Sequence, residues 1–335
     1  MPDIRFNEAA YSALADESVL DCLLRHEQSI PHACKSGVCQ ACLVKAVDND
    51  APEQAKKALK PTLQAQGYAL ACQWVPDADT NVSLPSLNEC SVAVRIRSIE
   101  PLNHRVVRVR LDVVDDNSMF EYFPGQYLTL SNAHGISRSY SIANNFAEDG
   151  CIELHVQKMP QGQFTEWLFS AAKPGDVLHV RGPAGDCFYT NAEQEDFPIL
   201  LAGTGTGLAP LYGILHEALR QGHRGSIQLF HGGFTARDLY CVNELRELSM
   251  QYPQFRYHPS SLHAAEEGHG AVETGALDEV ILRHLEPATL ASTRVYLCGA
   301  PDLVHQLRKK IFLKGAKSSN IYCDPFIERR VAAAA

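Results

Sequence analysis

The chain has 335 residues, a formal net charge of −9 at pH 7 and 45% hydrophobic residues. That length exceeds what one hydrophobic core usually organises, so two or three domains are expected. The acidic balance argues against nucleic acid or an anionic membrane as a ligand, because both require a basic face.

The N-terminal residues and the cysteine content bear on the compartment. The chain begins Met1-Pro2-Asp3-Ile4-Arg5, which lacks the basic start and apolar core of a secretory signal. Eleven cysteines are an odd number, which favours metal ligands and free thiols over a disulfide framework. The apolar runs are shorter than the about 18 residues that a membrane-spanning helix requires. A cytoplasmic protein without membrane helices is therefore expected.

The first segment, residues 1–88, carries four cysteines with the spacing of an iron–sulfur site. Cys34, Cys39 and Cys42 form a C-x4-C-x2-C run, and Cys72 follows after 29 intervening residues. This spacing is typical of a plant-type [2Fe–2S] cluster, which needs four thiolates. A zinc site is the alternative, but zinc ribbons normally pair two C-x2-4-C knuckles, and only one occurs here. The spacing therefore predicts these four cysteines as cluster ligands.

The residues around these cysteines agree with that interpretation. Residues 18–26 have the apolar spacing of a short amphipathic helix, preceded by two predicted strands. Gly37 supplies freedom for a tight ligand loop. The segment resembles the plant-type ferredoxins, which implies a β-grasp fold, although Gln40 stands where that family usually has glycine. Cys22 and Cys90 are expected to be plain thiols.

From about residue 91 the pattern changes to short alternating strands. Apolar residues alternate with polar ones in two successive strands, at Val92, Val94 and Ile96 and at Val107, Val109 and Leu111. Many short strands separated by turns predict a small antiparallel β-barrel, assigned here to residues 89–193.

Three motifs follow one another inside this barrel segment. They are Phe123-Pro124-Gly125-Gln126-Tyr127, Arg138-Ser139-Tyr140-Ser141 and Gly162-Gln163-Phe164-Thr165. In this order they resemble the ferredoxin–NADP reductase superfamily, in which the Arg-x-Tyr-Ser element is the flavin signature. The resemblance implies a flavin-binding domain.

Each residue type in these motifs has a use against a flavin. Arg138 can hold a diphosphate bidentately, and Tyr140 offers a flat face to the isoalloxazine ring. Ser141 can hydrogen-bond flavin N5, the atom that receives hydride. Gly162 and Thr165 stand at a predicted helix start, where free N–H groups favour phosphate oxygens, so FAD is preferred over FMN. The resemblance adds, as further cofactor contacts, Ser139, Gln163 and, largely through the backbone, His155, Val156 and Gln157.

Residues 194–330 have the pattern of a nucleotide-binding domain. The apolar run Ile199–Ala202 leads through the glycine loop Gly203–Gly207 into a segment with helical apolar spacing. A strand, a glycine loop and a helix bring backbone amides close to a pyrophosphate, and Pro210 marks the helix start. Strands are then predicted at 227–230, 255–258, 294–298 and 320–323, and helices at 277–285 and 303–313. This alternation predicts a parallel, doubly wound sheet.

Several residues of this domain take their roles from the same resemblance. Cys298 and Gly299 belong to a segment similar to the superfamily's Cys-Gly-x-Pro turn, whose cysteine lies beside the nicotinamide C4. Without that context, a buried structural thiol would be the better interpretation of Cys298. Phe326 matches the near-terminal aromatic beside the flavin. The resemblance implies Ser141 and Cys298 as catalytic residues and, as nucleotide contacts, Gly205, Thr206, Gly207, Pro210, Gly232, Asp238, Cys298 and Gly299.

In this domain order the whole chain resembles the reductase components of bacterial multicomponent oxygenases, of the benzoate dioxygenase and soluble methane monooxygenase type. The resemblance implies an oxidoreductase that passes electrons from NADH through FAD and the [2Fe–2S] cluster to a partner protein, an oxygenase. Two alternatives remain, namely a reductase that feeds a deoxysugar dehydrase and a redox sensor. NADH is expected over NADPH because residues 232–236 offer no cation to a 2′-phosphate, although Arg237 follows them. Residues 331–335 are a tail outside the domains.

Overall fold

The structure is a computed structural model that describes residues 2–30, 32, 35, 37, 42–48, 51–59, 61–85, 91–114, 121–133, 135–191, 196–263 and 271–326. The chain divides into two compact units, Met1–Leu87 and Asn88–Ala335. Among the residues discussed above, Cys34, Cys39, Gln40, Cys90 and the tail lie outside the described ranges. Within those ranges, every helix is too short or too polar to cross a membrane.

The first unit is a mixed sheet covered by short helices. Its strands are β1 (Asp3–Phe6), β2 (Ala9–Ser12), β3 (Leu43–Ala46), β4 (Tyr68–Leu70) and β5 (Thr80–Ser83), and its helices are α1 (Val19–Arg25), α2 (Glu53–Lys56) and α3 (Pro61–Ala65). The strand order is β2-β1-β5-β3-β4, with β1 and β5 parallel and the other described pairs antiparallel. This arrangement confirms the predicted β-grasp fold.

Helix α1 shows why the sequence folds locally as predicted. The Ser18 side chain accepts a hydrogen bond from the Asp21 N–H at 3.1 Å and so caps the first turn. Val19, Leu20 and Leu23 are fully buried in the core of the unit. The amphipathic helix predicted over residues 18–26 is therefore confirmed.

The second unit begins with an antiparallel barrel. Its strands are β6 (Ser91–Pro101), β7 (Val106–Val113), β8 (Tyr127–Ser131), β9 (Ser137–Ser141), β10 (Ile152–Gln157) and β11 (Val177–Ala184), and its helices are α4 (Phe146–Asp149) and α5 (Gln163–Ser170). The strand order is β10-β7-β6-β11-β8-β9, and a bridge between Ile142 and Leu154 joins the two ends. The alternating valines and leucines of β6 and β7 are buried, as predicted.

The rest of the second unit is a parallel sheet with helices on both faces. Its strands are β12 (Ile199–Thr204), β13 (Ile227–Gly233), β14 (Phe255–Ser261), β15 (Glu273–Thr274), β16 (Arg294–Gly299) and β17 (Ile321–Pro325), and its helices are α6 (Leu208–Arg220), α7 (Val242–Gln251), α8 (Leu277–His284) and α9 (Pro301–Leu313). One apolar cluster contains residues of α6 and α7, and a second contains residues of α8 and α9, so each face of the sheet is covered by its own pair of helices. The predicted doubly wound sheet is confirmed, whereas α7 and the two-residue strand β15 were not predicted.

The strand order β15-β14-β13-β12-β16-β17 reverses direction at β12. In open parallel sheets, such a reversal opens a crevice at the carboxyl ends of the strands, where ligands bind. The fold therefore places the glycine loop after β12 and the segment after β16 at one crevice.

Candidate active site

Cys42 and Cys72 are the two predicted cluster ligands that the structure describes, and they lie side by side. Cys42 immediately precedes β3, and Cys72 lies in the 3-10 turn Ala71–Gln73 that follows β4. The Ala71 N–H donates to the Cys42 carbonyl at 3.0 Å, which extends the antiparallel pairing of β3 and β4. Burial raises the pKa of the Cys42 thiol to about 11, and its hydrogen bond with the Cys72 thiol adds to the effect. Ligation would therefore require a metal ion to displace this proton.

The surroundings of this thiol pair fit a cluster. The Gln73 amide donates to the Cys72 Sγ at 3.6 Å, and hydrogen bonds to ligand sulfurs help to set cluster potentials. Gly37 has a φ of +80°, and a Cβ there would lie 3.1 Å from the Gln73 side chain. The conformational freedom predicted for Gly37 is therefore needed. Cys34 and Cys39 lie outside the described residues, so their roles stay predictions.

Strand β9 carries the predicted flavin signature. Arg138 and Tyr140 project to one side of the strand and Ser139 and Ser141 to the other, because side chains alternate along a strand. The Tyr140 ring lies 5.7 Å from the ring of Phe164, measured between centroids. Its hydroxyl is buried and has no hydrogen-bond partner among the described residues. An unpaired buried hydroxyl is unfavourable, so this position fits a ligand that is both flat and polar, as FAD is.

The loop before α5 is shaped to leave backbone donors free. A Cβ on Gly162 would lie 2.6 Å from Thr165 Oγ1 and 2.9 Å from Met159 Cβ, so the loop requires glycine there. The buried Thr165 hydroxyl donates to the Gly162 carbonyl at 3.0 Å and accepts from the Met159 N–H at 3.1 Å. Thr165 therefore holds the loop through its side chain. The first-turn N–H groups of α5, beginning with Gln163, are the groups suited to a phosphate.

Strand β10 presents the predicted nucleotide-contacting segment at the edge of the barrel sheet. Val156 is buried in the barrel core, and the His155 ring is buried against Tyr212 and Tyr240, at centroid distances of 5.6 and 5.3 Å. Gln157 instead lines a cavity. Contacts from His155 and Val156 to a cofactor would therefore go through the backbone, as the resemblance implies, and these contacts stay predictions.

The glycine loop lies against the end of β16. Gly205–Gly207 forms a 3-10 turn between β12 and α6. A Cβ on Gly207 would collide with the Cys298 carbonyl oxygen, and a Cβ on Gly203 would lie 2.8 Å from the same atom. Glycine is therefore required for this close approach. Pro210 is the third residue of α6, where a missing N–H breaks no helical hydrogen bond.

The end of the barrel strand β9 meets the ends of the sheet strands. The Ser141 hydroxyl donates to Asp324 Oδ2 at 3.2 Å. Asp324 is the register partner of Cys298 in the parallel pair of β17 and β16. The Phe326 N–H donates to the Gly299 carbonyl at 2.8 Å. Residues that were predicted from separate motifs are thus brought together at the crevice.

Cys298 is a buried thiol at this junction. It is 1% exposed, and its Sγ lies 3.7 Å from the Sγ of Cys187 at the end of the barrel segment. Burial raises the pKa of Cys298 well above the ordinary value for a thiol. The thiol is therefore neutral. Nucleophilic cysteines need a lowered pKa, so Cys298 is suited to packing against a ring and not to nucleophilic attack.

Asp324 is a residue at the junction of barrel and sheet that sequence reasoning missed. Burial raises its pKa from 3.8 to about 6, the negative charge of Asp186 adds to the rise, and the hydrogen bond from Ser141 opposes it. A carboxyl with a perturbed pKa in a crevice is a candidate for function. The sequence could have indicated Asp324 through its position two residues before Phe326, since residues two apart project to the same side of an extended segment.

A cavity of about 440 Å³ extends from the glycine loop along the carboxyl ends of the sheet. Its lining includes Gly205, Gly232 and Asp238, as the resemblance implies, and also Arg105, which sequence reasoning missed. Two hydrogen bonds from Thr235 to Asp238 Oδ2, at 2.8 and 2.9 Å, fix the orientation of the Asp238 carboxylate. The cavity therefore presents a carboxylate and a cation to a ligand.

Three family models match successive parts of the chain. The 2Fe-2S iron–sulfur cluster binding domain matches residues 7–77, the oxidoreductase FAD-binding domain 93–189 and the oxidoreductase NAD-binding domain 201–309. These matches confirm the three predicted cofactors, [2Fe–2S], FAD and a nicotinamide nucleotide. The boundaries 1–88, 89–193 and 194–330 stay predictions.

Curated relatives and solved structures resemble between 72% and 97% of the chain. The reductase component of the naphthalene 1,2-dioxygenase system of Pseudomonas putida, named a ferredoxin–NAD(P)+ reductase, is 30% identical over 93% of this chain and 94% of its own length. The reductase subunit of an aromatic O-demethylase from Amycolatopsis is 34% identical over 72% of this chain and 75% of its own.

A crystal structure of the Amycolatopsis cytochrome P450 reductase GcoB superposes with a TM-score of 0.67 and 26% identity, covering 97% of this chain and 99% of that one. Domain content, site geometry and relatives agree. The chain belongs to the family of ferredoxin–NAD(P)+ reductase components, oxidoreductases with [2Fe–2S], FAD and NAD domains.

Proposed function

We propose that this protein takes electrons from NADH at its FAD, passes them singly to its [2Fe–2S] cluster and delivers them to a separate terminal oxygenase. The observation that carries the proposal is the meeting of Ser141, Cys298 and Asp324 where the flavin barrel joins the nucleotide sheet. A donor bound in the nucleotide crevice and a flavin on β9 would both reach this point. The test is NADH-dependent reduction of cytochrome c by protein that contains stoichiometric FAD and iron.

The cofactors supply the redox chemistry, since hydride brings two electrons together, a flavin holds two and releases them singly, and the cluster accepts one. The chain supplies binding and orientation. Arg138 would bind the diphosphate of FAD, Tyr140 would cover its ring and the first turn of α5 would donate backbone N–H groups. Cys298 would keep water away from the reacting face, because it is buried and neutral.

Ser141 and Asp324 are the polar groups at the reacting point. The Ser141 hydroxyl donates to the ionised Asp324 carboxylate, whereas a protonated Asp324 would donate to the Ser141 oxygen. Because the pKa of Asp324 is raised to about 6, this carboxyl can change its protonation state near physiological pH. We assign the pair to orienting hydrogen bonds and not to an essential general base.

Asp324→Asn is expected to stabilise the protein at pH 8 and to stabilise it only about a third as much at pH 4.5. The folded-state pKa is raised, so the folded protein pays for an ionised Asp324 fully above pH 6 and not below about pH 3.8. Removing the charge should raise the free energy of unfolding at pH 8 by about 2–3 kcal/mol. Thermal unfolding of both proteins at equal FAD content measures this, and a gain that is the same at both pH values would contradict the assigned pKa.

The nucleotide is proposed to be NADH. Asp238 lines the cavity, and Thr235 holds its carboxylate in place. An acidic residue in this part of a dinucleotide fold accepts a hydrogen bond from the ribose 2′-hydroxyl and repels a 2′-phosphate. Arg237 is exposed and is not part of the cavity lining, whereas Arg105 is. For NADH to be preferred, the repulsion of a 2′-phosphate by Asp238 has to exceed the attraction of that phosphate to Arg105.

We expect kcat/KM for NADH to exceed that for NADPH by at least ~10-fold, which corresponds to about 1.4 kcal/mol. Asp238→Asn should narrow the ratio, because it removes the charge and keeps an acceptor for Thr235. Steady-state reduction of ferricyanide with each nucleotide measures both constants. Equal values for the wild-type protein would mean that Arg105 binds the phosphate.

The partner is proposed to be an oxygenase, as in the named relatives, and to meet the ferredoxin unit. Residues 1–88 contain 7 Lys and Arg and 11 Asp and Glu, a net charge of −4. Partner reduction below saturation should therefore slow as salt is added, since the Debye length falls to about 8 Å at physiological ionic strength. Flavin reduction by NADH in the same buffers should change much less. A salt-independent rate would leave apolar docking as the explanation.

Two alternative functions can be distinguished from this proposal by experiment. A reductase that feeds a deoxysugar dehydrase would have the same domains, so pairing with each candidate acceptor decides between them. A redox sensor would not need an intact junction for hydride transfer. A cytoplasmic location is proposed with this function, in keeping with the free thiols of the described cysteines.

A further inference from the structure

Three side chains of types that can bind a metal ion meet at the edge of the nucleotide sheet. The proposed electron transfer does not use these residues. His258 lies on β14, Glu273 on the edge strand β15 and His284 is the last residue of α8. One ligand atom from each lies within 4.8 Å of the other two. The three residues come from different elements, so the fold and not a local motif brings them together.

The distances within the cluster suit a shared ion. Glu273 Oε1 lies 2.8 Å from His284 Nε2 and 3.8 Å from His258 Nδ1. The first distance is that of a hydrogen bond, and the second is too long for one. In a tetrahedral Zn²⁺ site, with ligands at about 2.0–2.2 Å, neighbouring ligand atoms lie about 3.3 Å apart. Both distances are within about 0.5 Å of that separation, and the ligand atoms of the two histidines lie within 4.8 Å of each other.

The neighbouring side chains support the same geometry. The Phe230 ring stacks on His258 at 4.5 Å with an interplanar angle of 10°, which fixes the orientation of the imidazole. Arg283 Nη1 lies 4.0 Å from Glu273 Oε2 and therefore leaves Oε1 for another partner. The His258 side chain is 13% exposed and those of Glu273 and His284 are 34% and 36% exposed. The cluster is thus partly shielded from water but open enough for an ion to enter.

We propose that His258, Glu273 and His284 bind one Zn²⁺ ion, with water as the fourth ligand. Two imidazoles and one carboxylate suit Zn²⁺, whereas Mg²⁺ and Ca²⁺ prefer ligand sets made only of oxygen. The ion ties together β14, β15 and α8. Because Gly275 and Leu277 line the nucleotide cavity, the ion steadies one wall of that cavity.

The experiment uses the complete protein with its flavin and cluster. After dialysis against a mild chelator, it is titrated with Zn²⁺ in competition with a fluorescent zinc indicator. One ion should bind, and its affinity should fall at least ~10-fold in His284→Asn and in Glu273→Gln. The matched control is His305→Asn, which changes an exposed histidine on α9 and should keep the wild-type affinity. Iron and labile sulfide are measured before and after, so that displacement of the cluster is not counted as binding.

A second measurement follows folding. Zn²⁺ should raise the midpoint of thermal unfolding of the wild-type and His305→Asn proteins and leave that of His284→Asn unchanged. His284 is at a partly exposed helix end, and the unfolding midpoint without zinc shows whether its variant folds. The proposal is overturned if the wild-type protein binds no zinc, or if the two cluster variants bind it with wild-type affinity. Neither result depends on which protein receives the electrons.

Discussion

Cys72→Ser is expected to abolish NADH-driven reduction of cytochrome c and to leave most NADH–ferricyanide activity in place. Cys72 lies beside Cys42 at the end of the paired strands β3 and β4, where two of the four predicted cluster ligands meet. A serine hydroxyl is a far weaker ligand for iron than a thiolate, so the cluster should be lost. A large one-electron acceptor then loses its donor, whereas a small acceptor can still take electrons from the flavin.

The measurement combines iron content, FAD content and both activities on the same preparation. Cys22→Ala is the matched control, because it removes a buried thiol from the same unit without touching a predicted ligand. It should keep its iron and its cytochrome c activity. Loss of ferricyanide activity in Cys72→Ser, with FAD still bound, would mean that electrons do not enter at the flavin.

Ser141→Ala is expected to slow the reduction of the flavin by NADH by about 100-fold with little change in FAD content. The expectation follows from the position of the hydroxyl, which donates to Asp324 at the junction of barrel and sheet. Removing one oriented hydrogen-bonding group from a reacting point typically costs 10²–10³ in rate, or about 2.7–4 kcal/mol. Binding of NADH should be nearly unchanged, because Ser141 does not line the cavity proposed to hold the nucleotide.

Stopped-flow absorbance of the flavin, at several NADH concentrations, separates the rate from the dissociation constant. Ser137→Ala is the matched control, since Ser137 lies on the same strand, projects to the same side and is exposed. NADH should reduce the flavin of Ser137→Ala at the wild-type rate. If Ser141→Ala also reduces at that rate, the proposed roles of Ser141 and Asp324 at the reacting point are wrong.

Most of the domain organisation and the cofactors could be predicted from the sequence, because their signals are local. The C-x4-C-x2-C spacing, the glycine loop after β12 and the apolar alternation of β6 and β7 each lie within a short stretch of chain. Periodicity fixes which side chains are buried, and loop composition fixes where the backbone must come close to a ligand. The individual site residues that resemblance supplied stay predictions until variants are measured.

What the sequence could not supply were the contacts between distant residues. The raised pKa of Asp324 comes from its burial in the crevice, where β17 places it beside Ser141, which is 183 positions earlier in the chain. Arg105 enters the nucleotide cavity from the barrel, and His258, Glu273 and His284 meet across two strands and a helix. Periodicity shows which face of an element is buried but not which element it packs against. Strand order and register decide that, and they are properties of the tertiary structure.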